Sequence, residues 1–511
     1  MMKSKIYNIK VCVVAIVAML SVTSCLEKYP GGAIQTGKSM KTFDDALQLN
    51  TGIYAMLKSS SLYTGYLTTL PDIQTDLVCA VDGYSNQLGN FWLWQIRSTS
   101  SEAEAVYASL YNVISNCNFY IENVGVVKAN TTNDDKLSEL DVLTGEIYAI
   151  RALAYSELIK LFCKAYDPAT AKSELGVVLR KYYSKEEVAK RASLYDSYQF
   201  VLENLDKAEE LLDEKNDQFG NIYNTKAMAQ ALRARVALYM QDWQTAIDYS
   251  TKLIESDAFA LSSVNTMISN TESHFQYLWT MDDGWEIIWR VNLTPEAYGG
   301  QLGSPFLAFT QGLGHRPDYV PSQWALNLYA QNDLRYNAYF RTISTAHQHQ
   351  LTWPLLVKYE GNTTFINNYL LYEVSMPKPF RLAEQYLIRA EAYCRLVQPN
   401  YSAAAADLTK LREARFRSGA GAISMNSGNW LNHIAEERVR ELFMEGHRLQ
   451  DIKRWGKLYN EGKGIERAPQ SNCLEEGSTL KRSADHYMYV WPIPRHEVEA
   501  PSSQVQQNDG Y

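Results

Sequence analysis

The chain has 511 residues, of which 46% are hydrophobic, and it carries a formal net charge of −8. A chain of this length and composition can build a large core, so it does not depend on disulfide bonds for stability. Its acidic balance argues against a general attraction to nucleic acid or to anionic lipid. The seven cysteines are scattered without a C-x-x-C spacing, which argues against a disulfide framework and against a zinc site.

The N-terminal residues predict an export signal. Three lysines accompany an apolar run from Val11 to Val22, which is shorter than the roughly 20 residues that a membrane-spanning helix needs. Residues 1–24 are therefore expected to be a cleaved signal peptide. The segment Val22-Thr-Ser-Cys25 resembles a bacterial lipobox, in which the cysteine becomes the lipidated first residue. We expect Cys25 to carry a lipid anchor that holds the protein on a membrane.

An aromatic loop is predicted over residues 82–98, with the sequence DGYSNQLGNFWLWQIRS. Tyr84, Trp92 and Trp94 are its candidate ligand-binding residues, because an aromatic ring can stack on the apolar face of a sugar. Trp92 and Trp94 lie two positions apart and would share one face of an extended segment. The same two rings could instead anchor the loop to neighbouring helices, and the sequence leaves both interpretations open.

A repeated motif predicts helical hairpins. Residues 150–155 and 388–393 share the pattern I-R-A-x-A-Y, and residues 232–239 are a looser copy. The second and third copies along the chain are each followed by a turn and another helical pattern, as in tetratricopeptide repeats. The unequal spacing of the copies indicates that a segment is inserted before the last one. We predict an all-α fold in which tetratricopeptide-like hairpins form a scaffold with large irregular loop insertions.

The main insertion is predicted at about residues 261–376, where glycine, proline and aromatic residues become frequent and helical periodicity fades. Trp285, Tyr298 and Arg316 are its candidate ligand-binding residues, because loops on a rigid scaffold commonly form binding surfaces. Trp285 belongs to a run in which tryptophans alternate with apolar residues, so part of that run is expected in the core. Tyr298 and Arg316 lie in glycine-flanked loops and are expected to be exposed.

The run from Glu436 to Trp455 combines apolar residues at helical spacing with opposite charges three positions apart. It predicts two packed helices, joined at Gly446, with solvated ion pairs between Glu437 and Arg440 and at two similar positions further on. A catalytic role for the histidine of this run is not supported, because neither a nucleophile nor a metal ligand accompanies it.

Motifs for catalysis and for metal binding are absent from the sequence. The chain contains no H-E-x-x-H, G-x-S-x-G or P-loop pattern. His347 and His349 have no acidic or cysteine partner at a ligand spacing, so a polar loop is predicted there rather than a metal site. A glycosidase pair cannot be chosen among the carboxylates, because their separation in space decides. We therefore predict no catalytic residue, no metal and no cofactor.

The order of these motifs resembles the SusD/RagB family of the Bacteroidetes. The resemblance rests on the lipobox cysteine, GEIYAIRALAYSELIKLF, the helical pair near Trp243, PKPFRLAEQYLIRAEAYCRL, the run that ends at Trp455, and VWPIPRHEVEA near the C-terminus. It implies an N-terminal SusD-like helical region over residues 25–250 and a SusD/RagB C-terminal region over residues 251–511, which contains the insertion. It also implies an all-helical, non-catalytic lipoprotein of the outer membrane, exposed at the cell surface.

The resemblance implies a partner as well, a SusC-like TonB-dependent outer-membrane transporter. The leading hypothesis is that the protein binds a glycan, either an oligosaccharide or a polysaccharide, and delivers it to this transporter. A RagB-like member would carry peptides to the same kind of partner. A helical surface glycosidase is a third hypothesis, since repeated helical hairpins also build such enzymes.

Overall fold

The computed structural model describes residues 40–183, 188–347, 351–417, 422–459, 464–471 and 473–511. The chain from Lys41 to Tyr511 forms one compact unit. The predicted signal peptide, the lipidation site Cys25 and the candidate His349 lie outside the described residues. None of the described helices is both long enough and apolar enough to cross a membrane.

Helices dominate the described part of the chain, which confirms the predicted all-α class. Several of the longer helices begin at a capping side chain; Asn133, Ser193 and Asp242 each accept a hydrogen bond from a backbone N–H of the first turn. The α-helices are α1 (Phe43–Met56), α2 (Tyr66–Ile73), α3 (Gly89–Trp92), α4 (Ser101–Asn130), α5 (Asp134–Phe162), α6 (Leu194–Leu211), α7 (Lys226–Met240), α8 (Trp243–Ile254), α9 (His274–Thr280), α10 (Ser304–Leu307), α11 (Gln323–Leu326), α12 (Arg335–Tyr339), α13 (Thr363–Tyr369), α14 (Leu382–Arg395), α15 (Tyr401–Glu413), α16 (Trp430–Glu441), α17 (Arg448–Tyr459) and α18 (Arg495–Glu499).

The long helices form a continuous series. From α4 to α8, each helix packs against the next helix of the chain. Helix α14 packs against both α8 and α15, so the series continues in space although the whole insertion separates α8 from α14 in the sequence. The predicted helical scaffold is confirmed, and short helices and strands fill the stretch of chain between α8 and α14.

The repeated sequence motif has the same structural role in three helices. Its alanines are buried in α5, α7 and α14, which lets neighbouring helices approach closely. Its arginine reaches from each of these helices to a polar side chain of an adjacent helix. The pairs are Arg151 with Asn204 at 2.7 Å, Arg233 with Glu209 at 2.6 Å, and Arg389 with Asp407 at 2.9 Å.

The strands are short and form antiparallel pairs. Two pairs tie the insertion to the rest of the chain, namely β1–β7 and β4–β10. The pairs are β1 (Val78–Ala80) with β7 (Tyr319–Pro321), β2 (Leu175–Val178) with β3 (Arg191–Ser193), β4 (Ile287–Trp289) with β10 (Phe380–Arg381), β5 (Phe309–Thr310) with β6 (Gly314–His315), β8 (Phe340–Ser344) with β9 (Thr352–Leu356), and β11 (Ile465–Glu466) with β12 (Lys481–Arg482).

The run from Glu436 to Trp455 forms α16 and the start of α17, and the two helices are joined around Gly446, as predicted. The prediction that its ion pairs are solvated is wrong. Glu437 and Arg440 do pair at 2.7 Å, but both side chains are buried. The charges of this run therefore belong to the interior of the protein.

The partners of these charges also differ in part from the prediction. Asp451 and Arg454 pair at 3.0 Å, as their spacing indicates. Arg448, however, pairs with Asp76 at 2.9 Å instead of with the neighbouring glutamate. That glutamate, Glu445, pairs with Lys358 and with an arginine distant in sequence. Spacing along one helix predicted the local pairs and missed those formed across the fold.

Seven charged side chains with almost no exposed surface form one connected cluster, which we call the ionic core. At its centre, the Glu441 carboxylate accepts hydrogen bonds from three arginines, with distances from 2.9 to 3.1 Å. The members are Glu286, Asp333, Arg335, Arg381, Arg415, Glu437 and Glu441, all exposed by at most 1%. The first three lie in the insertion and the other four outside it, so the ionic core fastens the insertion to the scaffold.

Candidate ligand-binding face

Three loop segments meet beside the β1–β7 pair and form a surface that we call the loop face. These segments are residues 81–90, 305–319 and 369–373. Asp318 joins the first two, because the N–H and the hydroxyl of Ser85 donate to its two carboxylate oxygens, each at 2.8 Å. The hydroxyl of Tyr319 donates to the carbonyl of Gln87, also at 2.8 Å. The loop predicted at residues 82–98 and the insertion are therefore held together at one place.

Three half-buried aromatic rings stand next to one another on the loop face. The ring centroid of Phe309 lies 4.6 Å from that of Tyr372 and 4.9 Å from that of His315. The N–H of Phe309 donates to the buried carboxylate of Glu373, which fixes the β5–β6 hairpin against residues 369–373. Burial lowers the pKa of His315, so its imidazole is neutral at pH 7 and presents an uncharged ring.

Polar and exposed side chains lie on the same loop segments as these rings. Arg316 is exposed next to His315, and Leu313 at the tip of the hairpin is 70% exposed. Tyr84 is half-buried; its hydroxyl donates to Asn86 at 2.6 Å, and its ring packs edge-on against Tyr319. Aromatic rings beside guanidinium and amide groups suit a ligand that has both apolar faces and hydroxyl groups.

The two tryptophans of the 82–98 loop lie in the core. The expectation of an extended segment is wrong, because helix α3 ends at Trp92 and Trp94 has a φ of 56°. Trp92 has no exposed surface; its indole donates to the Val78 carbonyl at 3.2 Å and lies 4.6 Å from the Arg467 guanidinium. Trp94 is 2% exposed, and its indole donates to the Gln74 carbonyl at 2.6 Å. This burial favours the interpretation in which both rings anchor the loop.

The remaining candidates lie on other segments of the insertion. Trp285 is 38% exposed, and its ring stacks on that of His274 in helix α9, with the centroids 4.0 Å apart. Tyr298 is half-buried and precedes Gly299, whose backbone lies against the carbonyl of Lys58. Of the six candidates, the structure thus brings Tyr84 and Arg316 onto the loop face and places Trp285 and Tyr298 elsewhere.

Three important residues of the loop face were missed by the sequence argument. Phe309 and His315 flank the glycines of the TQGLG segment, which reads only as a turn. Tyr372 lies much further along the chain, and nothing in the local pattern connects it to that turn. A glycine-rich hairpin with an aromatic residue at each end is the only signal that could have pointed to two of the three.

His347 and His447 are both buried. His447 is buried, and burial together with Arg235 and Arg438 keeps its pKa well below the usual value, so the ring is neutral. His347 is buried as well, and its Nε2 lies 2.8 Å from the Pro317 carbonyl. Within the described ranges, no group of three or more histidine, cysteine, aspartate or glutamate side chains could hold a metal ion.

Comparison with family models decides the identity of the fold. A model described as the SusD family matches residues 206–511, which is more than half of the chain. The chain belongs to the SusD family. A second model, described as starch-binding associating with outer membrane, matches residues 37–238. The resemblance stated from the sequence motifs is confirmed over both halves of the protein.

Individual relatives agree with the SusD assignment. A SusD-like protein of Formosa agariphila is 23% identical over 519 aligned positions, covering 90% of this chain and 92% of that protein. A crystal structure of a SusD superfamily protein from Bacteroides thetaiotaomicron superposes with a TM-score of 0.76 at 22% identity, covering 91% of this chain and 99% of the other. A SusD-like carbohydrate binding protein from Bacteroides vulgatus gives a TM-score of 0.69 at 19% identity, covering 89% and 96%.

Family membership sets the general class of function. SusD proteins are binding proteins without catalytic activity, so this chain is not an enzyme. At the level of its family models, it is a carbohydrate-binding protein associated with the outer membrane.

Proposed function

We propose that this SusD-family protein is a cell-surface lipoprotein that binds an oligosaccharide or polysaccharide at the loop face. It then delivers the glycan to a SusC-like TonB-dependent transporter for import. The observation that carries the proposal is the group of half-buried rings formed by Phe309, His315 and Tyr372, on the same loop segments as the exposed Arg316 and the half-buried Tyr84. Sugar rings have apolar C–H faces that stack on aromatic rings and hydroxyls that accept hydrogen bonds from guanidinium groups.

Electrostatics support a neutral ligand at the loop face. The carboxylate of Asp318 is buried and already accepts two hydrogen bonds from Ser85, and Glu373 accepts one from the Phe309 N–H. Both acids are therefore occupied in holding the loops. Glu360, whose charge acts on His315, pairs with Arg341, so charges of both signs lie near the rings. An uncharged glycan is not repelled by such a surface.

Binding of the mature protein to polysaccharides tests the proposal directly. We expect retardation in native gels that contain one member of a broad polysaccharide panel. Tyr372→Ala and Phe309→Ala should each weaken that binding by about tenfold or more, which corresponds to about 1.4 kcal/mol. The matched control is Tyr223→Ala, since Tyr223 is 50% exposed and packs edge-on against Tyr54, away from the loop face. Equal losses in all three variants, or no retardation on any polysaccharide, would contradict the proposal.

Mass spectrometry of the same purified protein distinguishes a glycan ligand from a peptide ligand. If the protein carries peptides, as the RagB-like alternative holds, peptides will co-purify with it and appear by mass spectrometry. If these peptides no longer co-purified with the Tyr372→Ala variant, and the protein bound no glycan, the ligand of the loop face would be a peptide instead of a glycan.

The transporter partnership and the lipid anchor have separate tests. We expect a large β-barrel protein to co-purify when the protein is pulled down from native membranes in mild detergent. We also expect metabolic labelling with a fatty acid to be lost in the Cys25→Ser variant. A pull-down without any β-barrel partner would remove the delivery step from the proposal while leaving glycan binding in place.

A further inference from the structure

Two cysteines distant in sequence lie side by side next to the loop face. Cys79 is the central residue of β1 and is 2% exposed, with Val320 of β7 as its partner on one edge. Along the other edge of the same segment, Val81 forms an antiparallel bridge with Cys473. The N–H of Leu474 donates to the Ala80 carbonyl at 2.8 Å. The backbone thus brings the segment around Cys473 directly against β1.

The register places the two thiols on the same face. Side chains alternate between the faces of an extended segment, so Cys79 points the same way as Val81, and Cys473 lies opposite Val81. Cys79 and Cys473 are therefore diagonal neighbours across this antiparallel bridge. Their thiols act on each other, since the Cys473 thiol lowers the pKa of Cys79 and the Cys79 thiol raises that of Cys473.

The other described cysteines lack such a neighbour. Cys117 is buried within α4 and Cys394 within α14, while Cys163 directly follows α5 and faces the Arg191 guanidinium. Burial raises the pKa of each of these three thiols. The Cys79–Cys473 contact is therefore a specific feature of one place in the fold.

We propose that Cys79 and Cys473 form an intramolecular disulfide bond once the protein reaches an oxidising compartment. The export step rests on the proposed function, whereas the chemistry rests on the contact itself. A single cross-link does not make a disulfide framework, because the other thiols stay reduced. Cysteines in exported proteins commonly become oxidised when two of them meet.

The chemistry is a dithiol–disulfide exchange with a disulfide-bonded oxidant, written R–S–S–R. Cys473 is half-buried, so its sulfur is the accessible one and attacks R–S–S–R, forming a mixed disulfide and releasing one R–S⁻. Cys79 then attacks the Cys473 sulfur, forms the intramolecular S–S bond and releases the second R–S⁻. The two cysteines lose two electrons and two protons, and the oxidant gains them as two R–SH.

This cross-link would fix the base of the loop face. Cys79 belongs to the β1–β7 pair that holds Asp318 and Tyr319 in position, and Cys473 belongs to the segment that packs under Trp92 near Gly477. Joining residues so far apart in sequence removes conformational freedom from the unfolded chain. We therefore expect oxidation to raise the Tm of the protein and to leave glycan affinity unchanged.

Peptide mapping of the mature chain tests the proposal. The protein is incubated with oxidised glutathione, denatured in the presence of N-ethylmaleimide and digested with trypsin. We expect the number of alkylated cysteines to fall from five to three, and the tryptic peptides 59–97 and 468–481 to appear joined. Alkylation of all five cysteines, a linkage between other cysteines, or glutathione that remains on Cys473 would each overturn the proposal.

Variants with a single cysteine replaced show which cysteine acts in each step of the exchange. In Cys79→Ser, glutathione should stay attached to Cys473, and in Cys473→Ser the remaining thiols should stay reduced. The matched control Cys394→Ser should still form the cross-link, and it decides the question together with the unsubstituted protein if the other two variants fail to fold. Because the readout is a peptide mass, a failure here is distinguishable from a failure of glycan binding.

Discussion

At the scale of single residues, the aromatic side chains near the loop face divide into anchors and exposed rings. The indole N–H of Trp92 donates a hydrogen bond to the Val78 carbonyl, and Trp92 has no exposed surface. Tyr84, in contrast, is half-buried at the edge of the loop face. The two residues were equivalent candidates from the sequence alone. Their surroundings now predict opposite consequences for substitution.

Trp92→Phe should destabilise the protein without changing glycan affinity. The change leaves the buried Val78 carbonyl without its donor, which costs about 1–3 kcal/mol. Urea denaturation measures the loss of stability, and binding is measured on the folded protein under native conditions. Tyr84→Ala serves as the converse variant, with weakened binding and only a small change in stability, because its side chain lies at the surface. A large affinity loss in folded Trp92→Phe would make Trp92 a candidate ligand contact again.

The burial of Glu146 predicts that the stability of the protein depends on pH through this one carboxyl group. It is buried in α5, where its carboxylate accepts hydrogen bonds from Asn50 at 3.1 Å and from the Tyr54 hydroxyl at 3.2 Å. Burial raises the pKa of Glu146 to about 7 despite these two donors. In the unfolded chain its pKa is about 4.3. Between these values the folded state binds a proton that the unfolded state does not, so stability falls as the pH rises through this window.

The isosteric variant Glu146→Gln isolates this effect. The free energy of unfolding of the unsubstituted protein, relative to the variant, should fall by roughly 3 kcal/mol between pH 4.5 and pH 7.5. It should be nearly constant from pH 8 upward. Urea denaturation of both proteins at several pH values gives the difference. A difference that stays flat across the whole range would mean that the Glu146 carboxyl titrates normally in the folded protein.

At the scale of helices and loops, the sequence predicted the scaffold well and the loops poorly. The I-R-A-x-A-Y motif identified α5, α7 and α14, because its alanines and its arginine meet neighbours whose positions follow from helical geometry. The loops were different, since Trp94 has a left-handed backbone conformation and Tyr372 reaches Phe309 from far along the chain. Contacts of that kind depend on the completed fold and are not reflected in a periodic pattern of residues in the sequence.

Substitution of glycine by alanine is expected to change the stability of the protein in opposite directions at two positions. Gly446, between α16 and α17, has a φ of +81°, and a Cβ there would meet the carbonyl oxygens of Leu67 and Thr68 at 3.0 and 3.1 Å. Gly446→Ala should therefore destabilise the protein by about 1–3 kcal/mol. Gly125 lies in helix α4 with nothing within 4 Å of its Cβ position, so Gly125→Ala should stabilise by about 0.5–1 kcal/mol.

Thermal unfolding of the two glycine variants compares them directly. We expect the Tm of Gly446→Ala below, and that of Gly125→Ala above, the Tm of the unsubstituted protein. The same sign of change in both variants would show that backbone conformation does not decide the outcome at Gly446.

At the scale of the whole molecule, the ionic core makes the insertion and the scaffold depend on each other. Arg335 from the insertion pairs with Glu437 and Glu441 of α16, while Glu286 from the insertion pairs with Arg381 and Arg415. The sequence showed a helix rich in charge and predicted it to be solvated. Its partners come from distant parts of the chain, so local spacing could not show that the charges neutralise one another inside the fold.

Glu441→Gln should lower the stability of the entire molecule in one transition. Glu441 is fully buried and accepts hydrogen bonds from Arg335, Arg381 and Arg415, so removal of its charge leaves buried cations with too few acceptors. The expected loss is about 3–5 kcal/mol. Circular dichroism follows the helices, and tryptophan fluorescence reports on five tryptophans of the insertion and six outside it. Both signals should shift together to a lower Tm. The matched control on the same helix is Glu436→Gln, whose side chain is 49% exposed and whose pairing with Arg440 should contribute less than about 1 kcal/mol. If the transition in Glu441→Gln split into two separate steps, parts of the molecule would melt independently, and the ionic core would not couple the insertion to the scaffold.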